Sequence, residues 1–444
     1  MKAISLRTLF VTIILILTTG ILNAQKIWTL EECINYALEH NINIQRQEIR
    51  AQQAENNHRQ SKFELLPNLN GGIYHMYRAG KSVNLDNYEY VNQQYQYGYM
   101  GISSNLPIFD GLELQNRIKR TKYDLLSQLE SIEEAKYNVT MNIVTYYLNV
   151  LSNQEQRTIR EDQLEVTLEQ IEQTKQQVEV GNKAKGDLLE IQAQAARERV
   201  QLTDAKNQLR MAKINLIQLM NLDSLEGFDI ETPEDLKVED SEALLSTKTV
   251  YNESIKEFPT IKMAEYQLKS SEKYLDMMKG RRYPELSLGV QTQTRYNELS
   301  REIFTYSQQI KDNAFVIVEL SLSLPIFNRM TVQNQISNAR LSVKDSKKQL
   351  QEYEQNLFKD IQRARNEAIS SYETYQSNKE AVKSMEEAFN YTKERYDVGL
   401  VDVIEYQIAK NNLSKARSDL ANAKYNYIFR LKLLEFFMGQ QMKM

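Results

Sequence analysis

An internal duplication constrains this fold more than any other feature of the chain. The segment Leu106–Phe109, with the sequence Leu-Pro-Ile-Phe, recurs as Leu324–Phe327, 218 positions later. The same offset superimposes Val180-Gly181 on Val398-Gly399. Further identities at this offset are Gln115, Asn116, Ile118, Leu202, Ala205, Leu216 and Met220 with Gln333, Asn334, Ile336, Leu420, Ala423, Leu434 and Met438. A fixed offset over such a distance indicates one structural unit that is present twice.

Each half predicts the same order of elements. A first helix ends before a proline, Pro67 or Pro284, because proline disfavours the α conformation in the residue before it. Two strands joined by a polar loop follow, and then a very long helix, a glycine turn and a returning helix. The predicted helices are Trp28–Glu64, Leu112–Val178 and Asp187–Met220 in the first half, and about Glu253–Arg282, Met330–Tyr396 and about Val403–Met438 in the second.

The long helices have the apolar spacing of coiled coils. Each holds about 68 residues without a proline, which corresponds to roughly 100 Å at 1.5 Å per residue. In the returning helix of the first half, apolar positions alternate in threes and fours: Leu202, Ala205, Leu209, Ala212, Leu216 and Leu219. Such a narrow apolar stripe favours helices that pack side by side. A water-soluble coiled-coil bundle would have the same helices, so the helices alone leave that alternative open.

The strands favour a membrane protein. Leu286, Leu288 and Val290 alternate with Ser287, Gly289 and Gln291, and the strand near Val316 to Leu324 alternates in the same way. In the first half, two sets of residues each share a face, namely Tyr95, Tyr97 and Tyr99, and Ile73, His75 and Tyr77. Strands of about ten residues with an apolar outer face, a polar inner face and tyrosines near their ends are typical of transmembrane β-barrels. An antiparallel sheet outside a membrane is the alternative.

The number of strands predicts an oligomer. Four strands cannot close a cylinder, and an open sheet edge in lipid leaves backbone groups unpaired at several kcal/mol each. Two chains would supply eight strands and three would supply twelve, and only the larger number leaves room for a lumen. We therefore predict a mainly α fold with a small β part, in which three chains form a helical α-barrel and a 12-stranded β-barrel.

The N-terminus predicts export. Lys2 and Arg7 precede an apolar run, Leu9–Leu22, and Ala24 supplies a small residue at the expected cleavage point. This is the pattern of a secretory signal peptide, and the run is shorter than the ~20 residues that a membrane-spanning helix requires. The predicted division is a signal peptide at 1–24, a first repeat at 25–221, a linker at 222–252, a second repeat at 253–438 and a C-terminal tail at 439–444.

Composition argues against several functional classes. The formal net charge is −4, and the basic stripe that nucleic-acid binding needs is missing from the sequence. The chain has one cysteine, Cys33, and three scattered histidines, so we predict neither a disulfide nor a metal centre. We read Cys33 as a packed helix residue. The sequence pairs no nucleophile with a base and has no phosphate-binding loop, so we expect no cofactor and no enzymatic activity.

Taken together, these motifs resemble the TolC family of outer-membrane efflux proteins over nearly the whole mature chain. Trp28–Asn41 is similar to the first helix of the family, and the four prolines Pro67, Pro107, Pro284 and Pro325 are similar to those that flank its strands. The most specific match is Tyr396–Leu400 followed by Ala421–Tyr427.

The resemblance implies a homotrimer in the bacterial outer membrane, with its helical tunnel in the periplasm. It implies docking to a periplasmic adaptor and to an inner-membrane transporter of the RND or ABC type, as part of a tripartite efflux or type I secretion system. It also implies a mixed belt around the tunnel, formed by the linker and the C-terminal tail. The alternative is a periplasmic coiled-coil adaptor or scaffold without a pore.

The resemblance also assigns roles to residues near the two glycine turns. It implies adaptor contact at the turns themselves, by Val180, Gly181, Asn182, Val398, Gly399 and Leu400. It implies a gate at Asp187, Tyr396 and Glu405, with a hydrogen bond from Tyr396 to Asp187 and a ring of three Glu405 carboxylates. The chain departs from the family at Val401, which replaces a basic residue that assists this hydrogen bond, so we expect a more weakly closed gate. It also departs at Ile408, which replaces a second acidic ring, so we expect weaker cation affinity at the mouth. Simple helix capping is the alternative for both acids.

Overall fold

The structure, a computed structural model, describes residues 26–83, 88–233, 246–298 and 304–439. The predicted signal peptide, residues 234–245 of the predicted linker and residues 440–444 of the predicted tail lie outside the described residues. Chain order is β1 Lys26–Trp28, α1 Leu30–His40, α2 Ile42–Phe63, β2 Asn70–Val83, β3 Tyr90–Phe109, α3 Glu113–Glu179, α4 Lys185–Met220, β4 Phe228–Ile230, α5 Thr247–Glu257, α6 Pro259–Gly280, β5 Glu285–Asn297, α7 Tyr306–Asp312, β6 Phe315–Ser323, α8 Thr331–Asp397 and α9 Val403–Phe437.

The chain forms two compact units. The described residues of the helical unit are 26–47, 132–233, 246–259 and 354–439, and those of the sheet unit are 48–83, 88–131, 260–298 and 304–353. Helices α3 and α8 each contain 67 residues and lie within one residue of their predicted bounds. The returning helices α4 and α9 are also confirmed. None of the helices in the described ranges is both long enough and apolar enough to cross a membrane.

The single helix predicted from Trp28 to Glu64 is wrong. Trp28 belongs to strand β1, and the helical stretch is interrupted at Asn41, whose backbone is extended with φ −69° and ψ 123°. The Asn41 side chain accounts for the interruption, because hydrogen bonds between an asparagine side chain and the backbone compete with the hydrogen bonds of a continuous helix. Its amide Nδ2 donates to the carbonyl of Leu219 at 3.0 Å, and its Oδ1 accepts from the backbone N–H of Asn43 at 2.9 Å.

The helix predicted from about Glu253 to Arg282 is also two helices. Phe258 separates α5 from α6 with φ −65° and ψ 121°. Here the cause is Pro259, which disfavours α geometry at the residue before it. Helix α5 begins earlier than predicted because Ser246 caps it, with its hydroxyl accepting from the backbone N–H of Thr249.

The core of the helical unit anchors a small parallel sheet. Strands β1 and β4 pair from Lys26 with Phe228 to Trp28 with Ile230, which places a strand in the predicted linker. The Tyr147 hydroxyl is buried and lies near two carbonyls, those of Trp28 at 3.2 Å and Glu231 at 2.9 Å. Cys33 is fully buried in the same core, as predicted, and burial raises its pKa to about 12, so the thiol stays protonated near neutral pH.

The sheet unit contains one four-stranded antiparallel sheet in the order β2-β3-β5-β6. Directly paired residues point to the same face, and the pairs between β5 and β6 put aliphatic side chains on one face and mainly polar side chains on the other, where Ile317 and Phe315 oppose Gln291 and Gln293. On the aliphatic face, Leu286, Leu288 and Val290 oppose Leu322, Leu320 and Val318; on the polar face, Ser287 and Gly289 oppose Ser321 and Glu319. Val318 and Leu320 are 67% and 65% exposed, so this unit leaves its aliphatic face uncovered.

The tyrosines of β3 lie on the polar face. Tyr99 pairs with Arg295, and Gly101, two residues on, pairs with Gln293. Tyr95 and Tyr97 share this face by the two-residue period of a strand. The aliphatic face instead carries Ile73, His75 and Tyr77, which pair with Met100, Gly98 and Gln96. The prediction that Tyr95, Tyr97 and Tyr99 share one face and Ile73, His75 and Tyr77 share one face is therefore confirmed, and the two sets lie on opposite faces.

A short helix, α7, stands where a polar loop was predicted between β5 and β6. Thr305 starts it with a capping box, in which Gln308 is the reciprocal partner. The helix lies against β5 beyond the reach of β6. The Gln309 side-chain oxygen accepts from the backbone N–H of Asn297 at 2.9 Å, and the Asn313 amide donates to the carbonyl of Arg295 at 3.0 Å. These bonds satisfy backbone groups that would otherwise remain at an open sheet edge.

The strand-to-helix joint repeats the duplication in backbone geometry. Gly111 and Leu112 both have positive φ, +68° and +66°, and so do Arg329 and Met330, which stand 218 positions later at +53° and +63°. The first joint is crowded. A Cβ on Gly111 would lie 2.2 Å from the carbonyl oxygen of Gly280.

An ion-pair cluster follows this joint at the start of α3. Arg281 donates twice to the Glu113 carboxylate, at 2.9 and 3.0 Å, and Arg117 lies 3.1 Å from it. Burial alone would raise the pKa of Glu113, but the hydrogen bonds and charges of the two arginines outweigh it and lower that pKa. Glu113 therefore stays ionised and holds the end of α6 to the beginning of α3 within the sheet unit.

Candidate functional site

The two hairpin turns have the same geometry. Gly181 and Gly399 have φ +79° and +77°. In each turn the glycine N–H bonds to the carbonyl three residues earlier, and the next N–H bonds to the carbonyl five residues earlier. This is the Schellman pattern that ends a helix with a left-handed residue, usually glycine. The predicted glycine turns are confirmed.

The turns expose apolar side chains to solvent. Val180 and Val398 are each 71% exposed, and Leu400 is 69% exposed. Gly181, Asn182 and Gly399 are exposed as well. Each turn therefore exposes an aliphatic residue next to its left-handed glycine.

Tyr396 does not form the predicted hydrogen bond with Asp187. Its ring is 7% exposed and packs in a cluster with Ile191, Val403 and Tyr406. Its hydroxyl is buried without a hydrogen-bond partner among the described residues. The Lys183 ammonium lies 3.6 Å from the centre of the Tyr396 ring, a cation–π contact. Within one chain the tyrosine is therefore held by packing and by Lys183 rather than by Asp187.

Glu405 and Asp187 both lie in the first turn of a returning helix, where the helix dipole favours a negative charge. Asp402 caps α9 by accepting from the Glu405 backbone N–H at 2.8 Å. The Glu405 carboxylate in turn lies 3.3 Å from the guanidinium of Arg395 across the turn, with both side chains partly exposed. Ile408 is 56% exposed one helical turn farther on.

Lys183 and Arg395 are the contacts that sequence reasoning missed. Both lie within four residues of a turn glycine, which was the available signal. The sequence alone, however, does not indicate that Lys183 contacts Tyr396 or that Arg395 pairs with Glu405. The Lys183 contact depends on how the two hairpins pack, and the Arg395 contact depends on how α8 and α9 face each other beside their turn.

A buried polar cluster lies between the two hairpins of the helical unit. The Lys410 ammonium lies 3.1 Å from the Glu198 carboxylate, and these side chains are 5% and 1% exposed. The amides of Gln163 and Gln194 donate to the same carboxylate at 3.1 and 3.0 Å, and Thr167 hydrogen-bonds to both charged groups. Burial lowers the pKa of Lys410, and the neighbouring Glu198 partly offsets this effect. Among the residues described, no group of three or more His, Cys, Asp or Glu side chains is placed to hold a metal ion.

Comparisons with known proteins agree with this architecture. Residues 33–222 and 250–440 match the model of the outer membrane efflux protein family, and the two segments correspond to the two repeats. The chain is 28% identical to the outer membrane protein TolC of Escherichia coli over 111 residues, which are 25% of this chain and 22% of that protein.

Two solved structures have the same fold at low identity. The CmeC outer membrane channel of Campylobacter jejuni is 18% identical with a TM-score of 0.78, over 92% of this chain and 85% of that one. The outer membrane protein VceC of Vibrio cholerae is 15% identical with a TM-score of 0.75, over 92% and 96%. With its duplicated hairpins and family match over both repeats, the chain belongs to the outer membrane efflux protein family, also called the TolC family.

Proposed function

We propose that three copies of this chain form an exit channel through the bacterial outer membrane, as a component of a tripartite efflux or type I secretion system. The observation that carries the proposal is the four-stranded sheet. Its uncovered aliphatic face suits hydrocarbon, and its opposite face carries Gln291, Gln293 and Arg295. In the part of the chain that the structure describes, strands β2 and β6 each pair on one side only. Closure with two further copies removes these edges and gives twelve strands.

In this proposal the helical hairpins form a tunnel in the periplasm. We propose that the exposed turn residues Val180, Gly181, Asn182, Val398, Gly399 and Leu400 contact a periplasmic adaptor, which connects the channel to an inner-membrane transporter of the RND or ABC type. The rival proposal is a periplasmic adaptor or scaffold without a pore, for which the uncovered aliphatic face has no use.

The direct test is the size and conductance of the purified full chain. Light scattering in detergent should give the mass of three chains, and planar bilayers should register discrete single-channel currents. A monomer that stays soluble without detergent would contradict the proposal and favour the scaffold.

Two neighbouring residues of β6 provide a sharper test. Leu320→Lys places a charge on the aliphatic face, which at mid-membrane should cost about 2–4 kcal/mol, so the assembled trimer should be largely lost from outer membranes. Ser321→Lys places the same charge on the polar face and should assemble at the normal level. Equal assembly of the two variants, measured by heat-modifiable gel migration, would show that this face does not meet lipid.

We further propose that Asp187, Tyr396 and Glu405 surround the narrow end of the tunnel, where threefold symmetry turns each Glu405 into part of a carboxylate ring. Such a ring attracts cations. Glu405→Gln should therefore lower the cation selectivity, seen as a reversal potential nearer zero under a salt gradient. Glu386→Gln is the matched control, because Glu386 forms a similar exposed pair with Arg417 between the same two helices. An equal shift in both variants would contradict a local ring at Glu405.

A further inference from the structure

The helical unit contains a cavity that is separate from the turns and from the sheet. Its volume is about 660 Å³, and it lies among residues of α1, α3, α5 and the end of α9. That volume is within the range of sites that bind small organic molecules. The cavity has two chemically distinct parts, an aromatic wall and an acidic rim.

Four rings from three parts of the chain form the aromatic wall. The ring centres of Tyr137 and Phe436 are 4.3 Å apart and stacked. Phe258 meets Tyr137 edge-on at 5.0 Å and lies 6.1 Å from Phe437. A hydrogen bond joins the helices that carry these rings. The buried Ser254 hydroxyl donates to the Phe437 carbonyl at 2.5 Å and connects α5 to the end of α9. The rings are therefore held in place, and all four of them line the cavity.

The rim of the cavity carries carboxylates. Three glutamates line it, Glu31 from α1 and Glu253 and Glu257 from α5, and the lining residues within the described ranges include no lysine, arginine or histidine. The Glu253 carboxylate lies 3.4 Å from Lys256, but both side chains are more than 60% exposed. An ion pair so exposed is weak and screened by salt, so it leaves the rim acidic.

An aromatic wall beside carboxylates selects one class of ligand. Aromatic faces attract organic cations by cation–π interaction, and more strongly where water is excluded. The carboxylates add a Coulomb attraction and repel anions. A neutral molecule would pack against the aromatic wall but would gain no Coulomb attraction from the carboxylates of the rim. A bare metal ion would be attracted by the carboxylates but has no apolar body to pack against the rings. We propose that this cavity binds an organic ammonium ion with an aromatic or alkyl body. The proposal does not depend on conduction by the channel.

Calorimetry on the full-length protein in lipid nanodiscs, without detergent, tests the proposal. The probe is benzyltriethylammonium chloride, compared with benzyl alcohol as a neutral ligand and benzenesulfonate as an anion. We expect saturable binding of the cation with one site per chain, at least tenfold tighter than either comparison ligand, and weaker at high salt. Equal affinity for the cation and benzyl alcohol would overturn the proposal.

Substitutions then locate the site. The double variant Glu31→Gln with Glu253→Gln should weaken binding of the cation about tenfold. Glu39→Gln is the matched control, because Glu39 is exposed on the same helix as Glu31 and lies outside the cavity lining. Tyr137→Phe keeps the ring and should bind normally, whereas Phe436→Leu removes a ring and should weaken binding. Binding that is unchanged in the double glutamate variant would place the cation elsewhere and overturn the proposal.

Discussion

Lys410→Met is expected to lower the free energy of unfolding by about 3–5 kcal/mol, because it leaves the Glu198 carboxylate buried without its counter-charge. Glu198 is 1% exposed, so water cannot replace the lost ammonium. The hydrogen bonds from Gln163 and Gln194 remain, but amide dipoles compensate a buried charge only in part. The measurement is the midpoint of thermal unfolding by circular dichroism, compared among variants in the same detergent.

Arg417→Met is the matched control for this prediction. Arg417 pairs with Glu386 at 2.7 Å and also belongs to α9, but its pair is 44% and 49% exposed. Loss of an exposed pair typically costs less than about 1 kcal/mol. Adding Glu198→Gln to Lys410→Met should recover part of the loss, since it removes the orphaned charge. Similar unfolding midpoints for Lys410→Met and Arg417→Met would contradict this prediction, because the buried pair would then contribute no more to stability than an exposed pair.

Gly111→Ala should be the most damaging glycine substitution. Its Cβ would lie 2.2 Å from the carbonyl oxygen of Gly280 and 2.9 Å from the carbonyl carbon, and both contacts are to backbone that cannot rotate away. The positive φ adds roughly 1–2 kcal/mol of strain for any residue with a Cβ. Together with overpacking of about 1–3 kcal/mol, we expect a loss of about 3 kcal/mol or more, measured by the same thermal unfolding.

Two further substitutions separate the clash from the backbone strain. Gly280→Ala should show the clash, because its Cβ would lie 2.7 Å from the Gly111 carbonyl oxygen in a residue without positive φ. Gly399→Ala should show the strain, because Gly399 has φ +77° and nothing within 4 Å of its added Cβ. We expect the Gly399 change to cost about 1–2 kcal/mol. If Gly111→Ala were no worse than Gly399→Ala, close packing of Gly111 on Gly280 would be refuted.

Local rules of sequence determined most elements of the fold. Both 67-residue helices follow from long stretches without proline that end at a glycine, and both turns have the left-handed glycine that such an ending requires. The aliphatic face of β5 and β6 follows from a two-residue alternation, which each strand displays by itself. The duplication presents the long helix and its glycine turn twice in the same sequence.

Tertiary contacts decided the rest, because they join residues far apart in the chain. Asn41 ends α1 by bonding to Leu219, which no local signal indicates. Register with β5 puts the tyrosines of β3 on the polar face, although alternation within β3 is equally consistent with either face. Packing of the two hairpins pairs Lys410 with Glu198 and, within the described ranges, leaves the Tyr396 hydroxyl without a hydrogen-bond partner. Sequence periodicity determines which residues share a face of an element, but only packing between distant segments determines what that face meets.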